Sequence, residues 1–422
     1  MSRSYQPRSE NWSARGVVVS NGCHRFHMYQ TALAYEQAGR LRHLMAGWYL
    51  KPGLINRIIE SGAFARVFGE EAAKRVRARR QEGIDPARVV SLGLPDAMER
   101  LGRWRTGNWF PSGLFSFYSM QAFGWLSQRY ATHGDLFHVR SGYGRFAMAR
   151  AKSSGAVCLV DHSIADPGYI REIMVSEAGR WGLSYEFPEL HWRCVSQDID
   201  EADHILANSD FVRDTLVAGR GLPREKITVL PFSVDLSRFS PAVNRQGNGK
   251  FRILFAGEIG LRKGVLYLLK AFKELKLPDA ELILVGGITE IDSILAQGGF
   301  KFQHIPVLPQ EDLVALFQGT SIFVFPSLVE GSARVIQEAM ACGLPIITTA
   351  NSGSVVRDGV EGFIVPIRDS EAIAEKILDL YHDPAKRREM GLAARATAEQ
   401  RFPLQVYREG LIRLNDALLQ RP

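Results

Sequence analysis

Apolar residues in this chain gather in short runs closed by glycine, proline or asparagine, and the runs alternate with segments of helical period. Residues 17–19, all valine, read as a short buried strand that Ser20-Asn21-Gly22 breaks. A helix is then expected from about His24 to Ala38, ended by Gly39. Residues 135–139, 156–160, 204–207 and 227–231 are further apolar runs of strand length, separated by stretches of helical character. Residues 50–130 are rich in arginine and aromatic side chains and hold several candidate helices. They look like the least regular part.

Residues 240–249, with two glycines, two asparagines and no apolar period, form the best linker. After it the rhythm restarts. Strands are expected at 252–257, 281–287, 321–326 and 345–349, and helices at 265–275, 311–318, 335–341, 370–381, 386–400 and 403–420. Strands alternating with helices argue for parallel sheets covered on both faces. The expected fold is therefore α/β, with two doubly wound Rossmann-like domains facing each other across a cleft. The expected divisions are residues 1–240, a linker at 241–250, residues 251–400, and a final helix at 401–422 that packs back on the first domain. In such sheets ligands lie beyond the carboxyl ends of the strands.

Composition adds less than pattern. The 422 residues are 46% hydrophobic and 23% charged, as in soluble globular proteins. No run approaches the ~20 apolar residues of a membrane span, and residues 1–15 lack the apolar centre of a secretory signal. A cytoplasmic location follows as the expectation. Cys23, Cys158, Cys194 and Cys342 are too scattered for a zinc spacing and read as buried, reduced thiols. The charge is uneven. Residues 1–240 hold 31 Lys+Arg against 24 Asp+Glu, whereas residues 241–422 hold 21 of each. Arg66, Lys74, Arg75, Arg77, Arg79, Arg80 and Arg88 crowd one segment, near Trp104, Trp109, Phe110, Phe115, Phe117, Tyr118, Phe123 and Trp125. Such a face suits an anionic partner or peripheral attachment at the inner face of an anionic membrane; a solvated helix surface would look the same. Nothing resembles a nucleic-acid module.

Chemistry concentrates in the second half. At Pro326-Ser327-Leu328-Val329-Glu330-Gly331-Ser332-Ala333 a strand ends, a loop of small residues follows and a helix begins. Loop amides beside a helix N-terminus suit a diphosphate. Glu330 lies in the loop and Glu338 on the helix, and each carboxylate can accept a pair of sugar hydroxyls. A helix-start glutamate and a surface glutamate would fit the same spacing. Upstream, a strand ends at Gly257 and the cations Arg262 and Lys263 follow. Adjacent cations suit a leaving diphosphate, although they would equally cap and solvate a helix start. His162 ends the strand at 156–160 and is expected to face the cleft. Gly22 would allow a phosphate close to the first strand, and His24 and His27 are candidates for acceptor contact.

The stretch Glu330-x7-Glu338 followed by Ala339-Met340-Ala341-Cys342-Gly343-Leu344-Pro345 resembles the signature of the family 4 glycosyltransferases, retaining enzymes of the GT-B fold. The likeness continues through Asn351-Ser352-Gly353-Ser354 and the turn Asp358-Gly359-Val360-Glu361-Gly362-Phe363. Upstream, Ala202 to Ser209 and Val234-Asp235-x3-Phe239 resemble the end of the family's first domain. The resemblance spans about residues 130–400. It implies a nucleotide-diphosphate sugar as donor and a glycan, lipid-linked or small-molecule acceptor. It implies no cofactor besides the donor, and a metal is not expected to be needed. Glu338 would hold the ribose hydroxyls, Glu330 the transferred sugar, and Gly331 and Ser332 would offer amides. Lys263 would be the diphosphate lysine, and His162 would lie beside the donor sugar. Glu258 stands where the family commonly has arginine, so Arg262 is expected to take that role. Gly331-Ser332-Ala333 departs from the usual Gly-Phe-Gly run.

Overall fold

The computed structural model describes residues 16–23, 27–53, 79–105, 113–242, 249–306 and 308–420, with a few single positions between 54 and 78. His24, Lys74, Arg75, Trp109, Phe110 and most of the expected linker lie outside the described residues.

Strand β1 (Val17–Gly22) is buried along its whole length, and helix α1 (Met28–Gln37) follows it. Strands β2 (Leu41–Ala46) and β3 (Val89–Ser91) come next, then helices α2 (Gly93–Arg105) and α3 (Leu114–Ala131). The series continues through β4 (Leu136–Arg140), α4 (Arg145–Ser153), β5 (Val157–His162), α5 (Pro167–Arg180), α6 (Glu189–Glu201), β6 (His204–Ala207), α7 (Asp210–Arg220) and β7 (Ile227–Val229). These strands form one sheet, in the order β3-β2-β1-β4-β5-β6-β7.

The second sheet is built from β8 (Phe251–Ala256), β9 (Ala280–Val285), β10 (Gln303–Ile305), β11 (Ile322–Phe325), β12 (Ile346–Thr348) and β13 (Gly362–Ile364). Its order is β10-β9-β8-β11-β12-β13, all neighbours parallel. Between and after the strands run α8 (Val265–Leu275), α9 (Asp292–Gln297), α10 (Gln310–Gln318), α11 (Arg334–Ala341), α12 (Ser370–His382), α13 (Pro384–Arg401) and α14 (Leu404–Leu419). Both sheets are of the Rossmann-like type that the alternation predicts. Fully buried β-branched and aromatic runs such as Ile322–Phe325 are what a strand covered on both faces requires.

Residues cluster into two compact units, Met1–Asp161 with Pro188–His204 and Leu411–Pro422, and His162–Phe187 with Ile205–Gly410. The first has Tyr35, Leu41, Leu44, Phe123 and Phe137 at its core. There Arg40 donates to both oxygens of Asp416 (2.5 and 3.2 Å) on α14. The second is centred on Phe255, Phe323 and Phe325, whose rings stack with centroids 5.4 and 6.1 Å apart.

Four strands, β2, β3, β10 and β13, depart from the sequence expectation. β2 interrupts its apolar residues with Arg42 and His43, which hid it. β3, β10 and β13 are three residues long, and β13 sits in what reads as a turn. The basic segment is partly spent internally, since Arg79 pairs with Asp96 (3.0 Å) and Arg88 with Glu36 (3.4 Å). Of the aromatic residues, Phe123 is buried, while Tyr118 and Trp125, seven apart on α3, remain exposed. Among the described residues no helix is long and apolar enough to cross a membrane.

Candidate active site

The site grows from the carboxyl ends of β8 and β11, adjacent strands of the second sheet. Gly257 ends β8 at φ 151°, and its amide donates to Val285 (2.8 Å). Its carbonyl lies so close to Gly286 that a Cβ there would overlap it. A single turn, Leu261–Lys263, then presents Arg262 and Lys263, closed by Gly264 at φ 63°. Only glycine fits position 264, because a side chain would collide with the Pro326 carbonyl and the backbone is left-handed. The Arg262 carbonyl accepts from the Leu328 amide (2.9 Å) and the Ser327 hydroxyl (3.1 Å), which stitches the cation turn to the loop after β11.

That loop carries Glu330. Its Oε1 accepts from both Arg262 Nη1 and Lys263 Nζ, so three of the sequence-predicted residues meet at one oxygen. Lys263 also lies 5.4 Å from the centroid of the Phe325 ring. Burial pushes the Lys263 ammonium well below its ordinary value, and the Arg262 charge adds to this while Glu258 opposes it. Burial likewise lowers Arg262, against the pull of Glu258, Tyr185 and Glu290. Burial strips water from both cations, so an anion beside them is favoured.

Glu330 and Ala333 donate their amides to the carbonyls of Asn351 (2.9 Å) and Ser352 (3.1 Å). Between them, the Gly331 and Ser332 amides take no acceptor among the described residues. Helix α11 begins after Ala333, which has no side-chain oxygen to cap it. Two open amides and an uncapped helix start add partial positive charge beside the cations. The Ser332 hydroxyl is buried without a hydrogen-bond partner.

The other expected residues lie around this centre. Glu338 is half-buried on α11, and burial pushes its carboxyl up to about 7, with Arg334 acting in the opposite direction. Among the described residues no hydrogen bond or ion pair joins it to Glu330. His162 is fully buried at the end of β5. The next residue, Ser163, packs its carbonyl against Gly331, where a Cβ would overlap it. Glu258 is exposed and makes no ion pair among the described residues. His27 lies in the first unit, where its Nε2 meets Asp161 (2.7 Å). Asp198-Ile199-Asp200 has Asp-x-Asp spacing but lies within α6, where residues two apart point away from each other. There Asp198 accepts the Gly142 and Gly144 amides, both at 2.7 Å.

Sequence reasoning missed Ser209, Tyr169 and Glu290. The Ser209 hydroxyl donates to Gly331 O (2.5 Å). Tyr169 accepts from Asn351 (2.9 Å), and Glu290 accepts the Leu261 amide (2.9 Å) at the cation turn. Ser209 closes the Asn208-Ser209 motif and could have been found. Tyr169 and Glu290 carry no local signal.

Comparison with known proteins decides the family. The profile of the glycosyl transferases group 1 matches residues 237–397, and that of glycosyltransferase family 4 matches residues 73–238. The chain belongs to the family 4 glycosyltransferases. It is 31% identical over 221 residues to a D-inositol 3-phosphate glycosyltransferase of Arthrobacter sp. (strain FB24), covering 48% of this chain and 52% of that one. It is 28% identical over 239 residues to the capsular polysaccharide biosynthesis glycosyltransferase CapM of Staphylococcus aureus, covering 52% and 65%. The chain thus spans about half to two thirds of the length of the curated relatives it matches. In fold it is similar to sucrose-phosphate synthase from Thermosynechococcus elongatus, with TM-score 0.67, 17% identity and coverage of 96% and 99%. It is also similar to the Anabaena protein HepE in complex with UDP-glucose, with TM-score 0.65, 16% identity and coverage of 96% and 100%. These likenesses support the GT-B architecture.

Proposed function

We propose that the chain transfers a sugar from a nucleotide-diphosphate sugar to a glycan, lipid-linked or small-molecule acceptor, with retention at the anomeric carbon and without a metal. The observation that carries this reading is the meeting of Arg262 and Lys263 at Glu330, beside the open Gly331 and Ser332 amides and the start of α11. That arrangement offers a diphosphate two cations and several N–H donors.

In this reading the diphosphate displaces the Glu330 carboxylate from the cations. The freed carboxylate then takes hydroxyls of the transferred sugar. Glu338 accepts the ribose diol, Gly257 lets the donor approach the β8 end, and His162 lies beside the sugar. The bond from the anomeric carbon to the phosphate oxygen breaks, and the acceptor oxygen attacks from the same face. Its proton passes to the departing phosphate oxygen. Arg262, Lys263 and the loop amides stabilise the charge that grows there, usually the largest catalytic contribution.

The test is incubation with UDP-, GDP- and ADP-sugars, scoring release of nucleoside diphosphate by chromatography and the anomeric configuration of the product by NMR. Release with a retained configuration is expected; an inverted product would overturn the mechanism. A second reading, a non-catalytic glycan- or partner-binding protein that keeps the fold, draws on Glu258, which stands where the family commonly has arginine, and on the altered Gly331-Ser332-Ala333 loop. Calorimetry showing no nucleotide binding would favour it, whereas release of free nucleotide without any acceptor would point to a sugar-nucleotide epimerase.

A further inference from the structure

The segment Thr348 to Ser352 runs beside the loop that carries Glu330 and takes its carbonyl groups in turn. Thr348 Oγ1 donates to Phe325 O (2.7 Å), Thr349 Oγ1 to Ser327 O (2.6 Å) and Asn351 Nδ2 to Leu328 O (2.8 Å). Asn351 holds the backbone that leads into Glu330 at two points, because its own carbonyl also accepts the Glu330 amide (2.9 Å). The side-chain amide makes a second bond, to the Tyr169 hydroxyl (2.9 Å). Both its hydrogens are then used, and no other uncharged side chain of this length supplies two such donors.

Tyr169 is itself fixed. It sits in the first turn of α5, where Asp166 Oδ1 accepts the Gly168 amide (2.8 Å) and the Tyr169 amide (3.4 Å). Its ring meets Phe211 edge-on at 5.7 Å. At four-residue spacing along the same helix, Ile173 O accepts from Arg368 (3.2 Å), and Glu177 accepts from Arg368 (2.7 Å), Tyr267 (2.8 Å) and Trp181 (2.8 Å). Residues 169, 173 and 177 share one helix face. That face is therefore pinned to the part of the second unit that holds the site, and the Tyr169 hydroxyl is a fixed point.

We propose that Tyr169 and Asn351 are a positioning pair for Glu330, so that α5 governs turnover rather than donor binding. This rests on Glu330 holding the transferred sugar. A carboxylate that must leave two cations and meet sugar hydroxyls gains from a backbone held within about 0.5 Å. Misplacement by about 1 Å costs as much as a hundredfold in rate.

Asn351→Ala and Tyr169→Phe separate the possibilities, the second keeping the ring against Phe211. Turnover and KM are measured with the nucleotide sugar that the wild type cleaves in the UDP-, GDP- and ADP-sugar panel. Hydrogen exchange of the peptide spanning residues 326–334 is followed by mass spectrometry without ligand. The expected result is a kcat lower by about tenfold or more in Asn351→Ala and about threefold in Tyr169→Phe, with KM within about threefold. Exchange at 326–334 should be faster in both, and Asn351→Asp should recover only part of the loss. Unchanged exchange overturns the clamp, and a raised KM with normal kcat overturns the positioning role. If the wild type cleaves no donor, the reading of the site fails while exchange still judges the clamp.

Discussion

The Lys263 ammonium donates to Oε1 of Glu330, the same oxygen that takes the Arg262 guanidinium. Both cations are thus already met by a carboxylate, the one that a diphosphate displaces in the proposed reading. Replacing that carboxylate with an amide removes the competitor without removing volume. Glu330→Gln should therefore bind UDP about three- to tenfold more tightly, while turnover falls by about a hundredfold. Calorimetry and initial rates check this; weaker UDP binding would show that Glu330 is not an internal counter-anion.

Glu338 gives a pH signature. Burial holds its carboxyl at about 7 rather than 4.5. A raised acid favours the protonated folded form. Its contribution to stability is therefore complete below about pH 4.5 and is lost as pH rises through about 7. Ribose hydroxyls need the ionised acceptor, so the advantage of wild type over Glu338→Gln in UDP affinity should grow from pH 6 to pH 8. Titrations across that range check the difference, and a flat ratio would remove Glu338 from the ribose.

Glu177 predicts stability. It is 1% exposed, and its charge is met by Arg368, Tyr267 and Trp181. Removing one member of a buried charged pair strands the other, at about 3–5 kcal/mol. Glu177→Ala should lower the urea midpoint of the second unit accordingly, whereas a surface change such as Glu375→Ala should leave it within about 0.5 kcal/mol.

Gly264 predicts a backbone effect. At φ 63° and against the Pro326 carbonyl, alanine has neither the conformation nor the room. Gly264→Ala should cost more than about 1 kcal/mol and abolish UDP binding, because the cation turn separates from the Glu330 loop. Full UDP affinity in a folded variant would contradict the stitching described above.

Much of this site is legible in the sequence because it is local. Strand β8, its closing glycine, the cations and α8 follow one another, and α8 runs over Val265–Leu275 as the pattern predicts. Glu330 and Glu338 stand at a strand–loop–helix junction, but ordinary helix-start and surface glutamates would fit the same spacing, and it is the resemblance to the family that singles them out. The pairing of Glu330 with Arg262 and Lys263 bridges more than 60 residues, and it needs the β8–β11 adjacency that no periodicity reveals. Tyr169 and Asn351 are 182 residues apart, and nothing near either marks the partner. The first half was harder for a different reason. β2 mixes Arg42 and His43 into its apolar run, and β3 is too short to carry a period.

In the proposed function everything depends on Arg262 and Lys263 holding a nucleoside diphosphate. That role is tested most directly by calorimetric titration of UDP, GDP and ADP into the wild type and into the Arg262→Ala/Lys263→Ala double variant. Micromolar binding of at least one nucleotide by the wild type is expected, with a loss of about a hundredfold or more in the folded variant. No binding by the wild type, or equal binding by both, would contradict it.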